Sequence, residues 1–226
     1  MSNFFAIPIT DEWGTTYQLT TAGYTALVVL MLALLLLACF IGNSVKQPKF
    51  SARQLAFSAM AMAAAFVTSE IKLFHLPFGG SITLFSMLFL VLIGYWYGLR
   101  AGLMTAIAYG FLQLVSDPYI ISIPQMLVDY IFAFGALGLS GLFSKSKNSL
   151  VKGYIAGVLG RYFFAFLSGM IFFGAYAADY GMSAPVYSLV YNGIYLSVEA
   201  VLTLIILYLP PVKKVMGQLK TMATQR

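Results

Sequence analysis

Of the 226 residues, 61% are apolar and only 9% are charged, and the mean hydropathy is +0.88. A soluble domain carries about 25% charged residues, so the chain lacks the polar surface to face water throughout. The net charge of +6 is spread over separate connections with no aromatic–basic stripe, which argues against a nucleic-acid face, and the single Cys and single His exclude an internal disulfide and a cysteine-based metal centre.

Residues 1–20 are polar and mixed and read as an external tail. An apolar run over about 22–42 follows, long enough to cross a hydrocarbon core that takes about 20 helical residues, so 21–45 reads as an N-terminal transmembrane helix. Leu36-Leu37-Ala38-Cys39 has the look of a lipoprotein processing box. A cleaved signal needs a basic leader, however, and the first Lys or Arg is Lys46; the run therefore reads as an uncleaved anchor. Six further spans lie near 54–74, 82–99, 101–116, 120–143, 152–176 and 186–209, within a domain of 53–210. Residues 211–226 form a basic tail. There is no internal repeat, low-complexity tract or second domain, and no Gly-rich phosphate loop, so the chain is not expected to hydrolyse ATP itself.

The connections sort by charge. Of the 13 basic residues, all but Lys72 and Arg161 lie in the first, third or fifth connection or in the tail. Asp11, Glu12, Asp117 and Asp179 lie on the other side. This is the positive-inside pattern of a multi-pass cell-membrane protein, and it predicts an external N-terminus and a cytoplasmic C-terminus.

Small residues are spaced for close helix contact. Gly135, Gly138 and Gly141 in one span, and Gly153, Gly157 and Gly160 in the next, read as packing faces inside a bundle. Ala59, Ala61, Ala63 and Ala65 suit either internal packing or docking of another membrane subunit.

Ionisable groups at membrane depth need partners or a cavity. Asp129 lies about nine residues, or roughly 14 Å, from the outer end of its span, with Gln125 one helical turn away on the same face and Tyr130 beside it. Arg161 and Glu199 lie at matching depth further in and read as a structural ion pair. Tyr187, Tyr191 and Tyr195 recur at i, i+4, i+8, with Asn192, an amide that needs hydrogen-bond partners at that depth. One acid, one amide and several aromatic faces in the outer half describe a pocket for a flat, cationic, hydrogen-bonding molecule.

A longer ordered set of segments carries a family resemblance. Pro77-Phe78-Gly79-Gly80-Ser81 leads to Tyr97-Gly98-Leu99-Arg100-Ala101-Gly102. Then come Pro124-Gln125-Met126-Leu127-Val128-Asp129-Tyr130, Arg161-Tyr162, Ser168-Gly169, Phe172-Phe173-Gly174, Tyr187-Ser188-Leu189 and Tyr191-Asn192. Over about 53–210 this series resembles the thiamine-specific S-components of energy-coupling factor (ECF) transporters. The resemblance implies an all-α membrane protein: a six-helix S-component-like bundle, here with one extra N-terminal transmembrane helix. It implies a non-enzymatic subunit without a cofactor that binds thiamine from outside. Its partners would be a transmembrane coupling subunit and two ATPase subunits, which drive uptake. The residues implied to bind are Asp129, facing the thiazolium cation, with Tyr130, Gln125, Phe173, Tyr187 and Asn192; Gly169, Tyr109 and Tyr119 are placed with them. The loop at Gly79-Gly80 is expected to gate the pocket, and Ala61 and Ala65 to meet the coupling subunit.

Ala165 stands where members of the family commonly have a histidine, which leaves room for a related pyrimidine or thiazole compound. Two other classes compete. A self-sufficient secondary carrier of a cationic solute would use Asp129 as its coupling site, but the inverted repeats typical of such carriers are not evident. An intramembrane enzyme would need a nucleophile–base or metal set, and the sequence offers none.

Overall fold

Ser51 sets the start of the first long helix. Its hydroxyl accepts from the Gln54 N–H at 3.1 Å while the Gln54 side chain accepts from the Ser51 N–H at 3.0 Å, a reciprocal capping box. The computed structural model describes residues 4–11, 14–26, 29, 33, 50–76, 80–116 and 118–225, and these are mostly helical. The order is strands β1 (Ala6–Asp11) and β2 (Gly14–Leu19), helix α1 (Ala52–Glu70), strands β3 (Lys72–His75) and β4 (Ser81–Thr83), and helices α2 (Ser86–Tyr97) and α3 (Leu99–Gln113). Helices α4 (Ile123–Phe143), α5 (Ser149–Phe172), α6 (Ala184–Tyr208) and α7 (Pro210–Thr224) complete it, with a 3₁₀ segment, Gly174–Tyr180, before α6.

Three of these helices, α4, α5 and α6, are each long and apolar enough to span a membrane, and α2 is apolar but shorter. Helices α2 and α3 are joined through Gly98 alone, whose φ of +86° lies where a side chain would be strained. The glycine stripes face neighbouring backbones. A Cβ on Gly138 would stand 2.4 Å from the Leu103 nitrogen in α3, and one on Gly157 would stand 2.9 Å from the Leu137 oxygen in α4. Both contacts require the missing side chain, so these stripes hold α3, α4 and α5 together as expected. Val91, Leu90, Tyr109, Leu137 and Tyr154 fill the centre of the resulting core.

Several boundaries differ from the sequence reading. The polar residues 1–20 include an antiparallel hairpin, β1 with β2, rather than a featureless tail. Of the apolar run 22–42, residues 22–26, 29 and 33 are described, and all are helical; Cys39 lies outside the described residues. The second span ends at Glu70, four residues early, because Lys72–His75 turns back as a strand against Ser81–Thr83. Leu73 and Phe74 continue the apolar run past Ile71, so hydropathy alone extends the span through the strand despite Lys72 and His75.

The basic tail is a docked helix. Val212 and Met216 pack on the core, and Ala223 is buried. The Tyr97 hydroxyl donates to the Ala223 carbonyl at 2.9 Å, and Arg53 donates to the Gln225 carbonyl at 2.5 Å. The Lys220 ammonium lies 4.1 Å from the centre of the Tyr95 ring, and burial lowers its pKa from the ordinary lysine value.

Candidate functional site

Helix α4 begins with Ser122, whose hydroxyl accepts from the Gln125 N–H at 3.2 Å. After one α-helical turn it widens into a π-helical stretch over Leu127–Phe132, the segment that carries Asp129 and Tyr130. Such widenings recur at functional sites because they re-aim side chains without ending the helix. Here the half-buried Asp129 faces a cavity of about 210 Å3 between α1, α3, α4, α5 and α6.

Gln125 controls that carboxylate. Its Nε2 donates to Asp129 Oδ2 at 2.6 Å and to the Tyr119 carbonyl at 3.2 Å, and its Oε1 accepts from the Ile121 N–H at 3.1 Å. Gln125 is therefore committed to the protein and positions Asp129 more than it addresses a ligand. Arg161 lines the same cavity, near enough for its charge to act on Asp129. Its guanidinium lies 4.2 Å from the centre of the Phe134 ring.

The aromatic walls come from two directions. On α6, Tyr187 and Tyr191 stack with centroids 5.5 Å apart, and Tyr195 meets Tyr191 edge-on at 5.9 Å. Opposite, Tyr119 and Phe173 lie 5.9 Å apart, and the Tyr119 N–H donates to the Tyr130 hydroxyl at 2.9 Å. The Tyr119 and Tyr176 hydroxyls share a hydrogen bond at 3.1 Å. Asn192 is fixed on both sides: Nδ2 donates to the Ser188 and Ala165 carbonyls at 2.9 and 3.2 Å, and Oδ1 accepts from Tyr195 at 3.0 Å. Gly169 permits this approach, since a Cβ there would stand 2.2 Å from Ser188 Oγ and 2.9 Å from Asn192 Nδ2.

Thus Asp129, Tyr130, Gln125, Asn192, Tyr187, Phe173, Gly169 and Tyr119 line one cavity. Tyr109 stands behind it. Fully buried, its hydroxyl donates to the Ala65 carbonyl at 3.2 Å and accepts from Gln113, and Gln113 in turn donates to Ser69 Oγ at 3.0 Å. Gln113 and Ser69 reach the cavity in its place. The reading also missed Glu70 and Lys72 at the rim, where Glu70 accepts from the Ser116 hydroxyl at 2.6 Å. Both fall in a stretch assigned to a span end, which hid them. Of the loop at Gly79-Gly80 expected to gate the pocket, Gly79 lies outside the described residues, and Gly80 donates its N–H to the Tyr191 hydroxyl at 2.9 Å. Among the described residues no cluster of three His, Cys, Asp or Glu could hold a metal.

Two expectations are corrected. Arg161 and Glu199 do not pair. Glu199, 3% exposed, is held at the N-terminus of α2 instead. Thr83 donates through its N–H and hydroxyl at 3.2 and 2.7 Å, Met87 N–H at 3.2 Å and Ser86 hydroxyl at 3.4 Å. An orphan helix N–H and its dipole satisfy an anion without any cation, which frees Arg161 for the cavity. Ala61 and Ala65, expected on a docking surface, are buried: Ala61 against Ile93 and Ala101, Ala65 in the main core.

The chain matches the family model described as thiamine transporter protein over residues 55–218. Thiamine transporter ThiT of Bacillus subtilis (strain 168) is 33% identical over 178 residues, covering 72% of this chain and 92% of the relative. Thiamine transporter ThiT of Lacticaseibacillus paracasei is 30% identical over 124 residues, 49% of this chain and 59% of the relative. A solved structure of ThiT from Listeria monocytogenes superposes with a TM-score of 0.57 at 28% identity, covering 70% of this chain and 94% of that one.

Proposed function

Because the chain belongs to the thiamine transporter protein family, we propose that it is the thiamine-binding S-component of an ECF importer, a multi-pass membrane subunit that captures thiamine and does not itself catalyse a reaction. The observation that carries this reading is Asp129: a carboxylate oriented by Gln125, open to a cavity, and flanked by stacked aromatic rings. Thiamine is a permanent thiazolium cation joined to a flat aminopyrimidine. The carboxylate suits the cation, the aromatic faces suit both rings, and Arg161 and Asn192 supply polar edges.

The charge pattern of the connections supports an external N-terminus and a cytoplasmic C-terminus, with α1 to α6 as a six-helix binding bundle and the apolar run 22–42 as an extra span. Coupling then falls to a transmembrane partner subunit and two ATPase subunits. The buried Ala61 and Ala65 leave the other alanines of α1 to meet that partner. Ala52, Ala56, Ala59 and Ala63 recur at i, i+4, i+7, i+11 on the exposed face, beside the exposed Leu55, Met60 and Val67. A small-residue stripe of this kind admits close approach of a second helix.

One observation favours a second ligand. Ala165 lines the cavity with a methyl where an imidazole would supply a hydrogen bond, and a related pyrimidine or thiazole compound fits the same walls. Calorimetric titration of the purified full-length chain with thiamine, hydroxymethylpyrimidine and pyridoxine separates these cases. Saturable one-to-one binding with thiamine tightest supports the reading; tighter binding of another ring compound moves the specificity; no binding of any of the three removes the site.

A further inference from the structure

A second concavity lies on the outside of the bundle, between α5 and α6. It measures about 290 Å3 and its surface is almost wholly apolar. Tyr154, Val158 and Leu196 form its buried floor. Ile155 and Leu159 on α5, with Ala200 and Leu204 on α6, form its walls. Among the described residues it stays open at Gly193, where an added Cβ would come no nearer than 3.7 Å to Tyr162. Beyond Gly193 the Tyr162 hydroxyl donates to the Leu189 carbonyl at 3.0 Å and bounds the groove. From Tyr154 to Tyr162 the groove follows α5 for roughly 12 Å at 1.5 Å per residue, a long narrow shape suited to a hydrocarbon chain rather than a compact solute.

The opposite end is basic. Lys152, Ile155 and Leu159 fall at i, i+3, i+7 and share one exposed stripe, so Lys152 continues the groove wall at the end where α5 begins. Lys145 and Lys147 lie in the connection just before it, and Lys213 and Lys214 lie near the start of the helix that follows α6. No Asp or Glu occurs between Tyr130 and Ala178 or after Glu199, so neither α5, its leading connection nor the chain beyond α6 carries a carboxylate to neutralise that end.

We infer that this groove is a binding site for one anionic phospholipid, with an acyl chain between α5 and α6 and the headgroup at Lys152 and its neighbouring lysines. An apolar groove in a membrane-spanning bundle takes hydrocarbon, and basic residues at its end select a negative headgroup over a zwitterionic one. The site is separate from the thiamine cavity: the two share no lining residue.

The test is native mass spectrometry of the full-length chain released from nanodiscs of equal phosphatidylglycerol and phosphatidylcholine. One phosphatidylglycerol should remain bound per chain in preference to phosphatidylcholine. Lys152→Glu should lower that preference by roughly fivefold or more, the share of a basic side chain near a headgroup. Gly193→Leu, which fills the groove, should remove the retained lipid of either kind. Equal retention of the two lipids overturns the inference, as does preference that survives both substitutions. If Gly193→Leu instead abolishes a dimer while leaving the lipid in place, the groove is an interface between copies and the inference also fails.

Discussion

Asp129 and Glu199 are both carboxylates at membrane depth, and the structure treats them in opposite ways. Glu199 is closed off: both its oxygens accept from groups around the start of α2, two of them backbone N–H donors. Asp129 has one oxygen bonded to Gln125 and the Arg161 charge within range, and it faces a cavity beyond them. An anion at a helix N-terminus is satisfied in place, whereas an anion with an open side recruits what it lacks from outside. The difference teaches that depth in the membrane does not decide whether an acid is satisfied within the fold or left facing a cavity; the donors around it do.

The sharpest way to break this comparison is to empty the closed site. Glu199→Ala leaves the Thr83 and Met87 N–H groups buried without an acceptor and should destabilise the fold by about 3–5 kcal/mol. Thermal unfolding in detergent should show the loss, while protein that stays folded should bind thiamine within about twofold of the unaltered chain, since the cavity's aromatic and Asp129 contacts remain. Asp129→Asn should do the reverse. Removing the charge but keeping the shape should cost about 1.5–3 kcal/mol of affinity, roughly 10- to 150-fold, with the unfolding temperature little changed. A stability loss in Asp129→Asn with affinity intact would exchange the two roles.

Two smaller effects sharpen the picture. Gln125→Leu removes the group that aims Asp129 and should weaken thiamine by about 1–2 kcal/mol, or roughly 5- to 30-fold. Its effect should largely vanish in an Asp129→Asn background, a coupling that a double-mutant cycle measures directly. Tyr191→Phe removes only the hydroxyl that accepts from Gly80, and about 0.5–1.5 kcal/mol should be lost. If the hairpin of β3 and β4 closes over the ligand, this loss should appear as faster release of thiamine in stopped-flow fluorescence rather than as slower capture.

Much of the cavity was legible in the sequence because its parts lie within single helices. Gln125 and Asp129 are one turn apart, and so are Tyr187, Tyr191 and Tyr195, so spacing alone placed each set on one face. The glycines of α4 and α5 were legible for the same reason. What lay hidden depended on contacts between distant segments. Counting residues from a span's end gave Arg161 and Glu199 equal depth, but not the direction in which each side chain points. Glu199 finds Thr83, more than a hundred positions away, on a short strand concealed by its own hydropathy. The alternating alanines 59, 61, 63 and 65 occupy both sides of α1, so the pattern could not say which side faces the core. The C-terminal helix escaped notice because its lysines outweigh the inward stripe of the half-buried Val212 and Met216 and the buried Ala223.

The most direct test is a side-by-side calorimetric titration of thiamine into the full-length chain and into its Asp129→Asn variant, with unfolding temperatures taken on the same samples. The account predicts one-to-one binding to the unaltered chain and a roughly 10- to 150-fold weaker constant for the variant at an unchanged unfolding temperature. Equal affinity for both would contradict it, because the open carboxylate would then play no part in holding the cation.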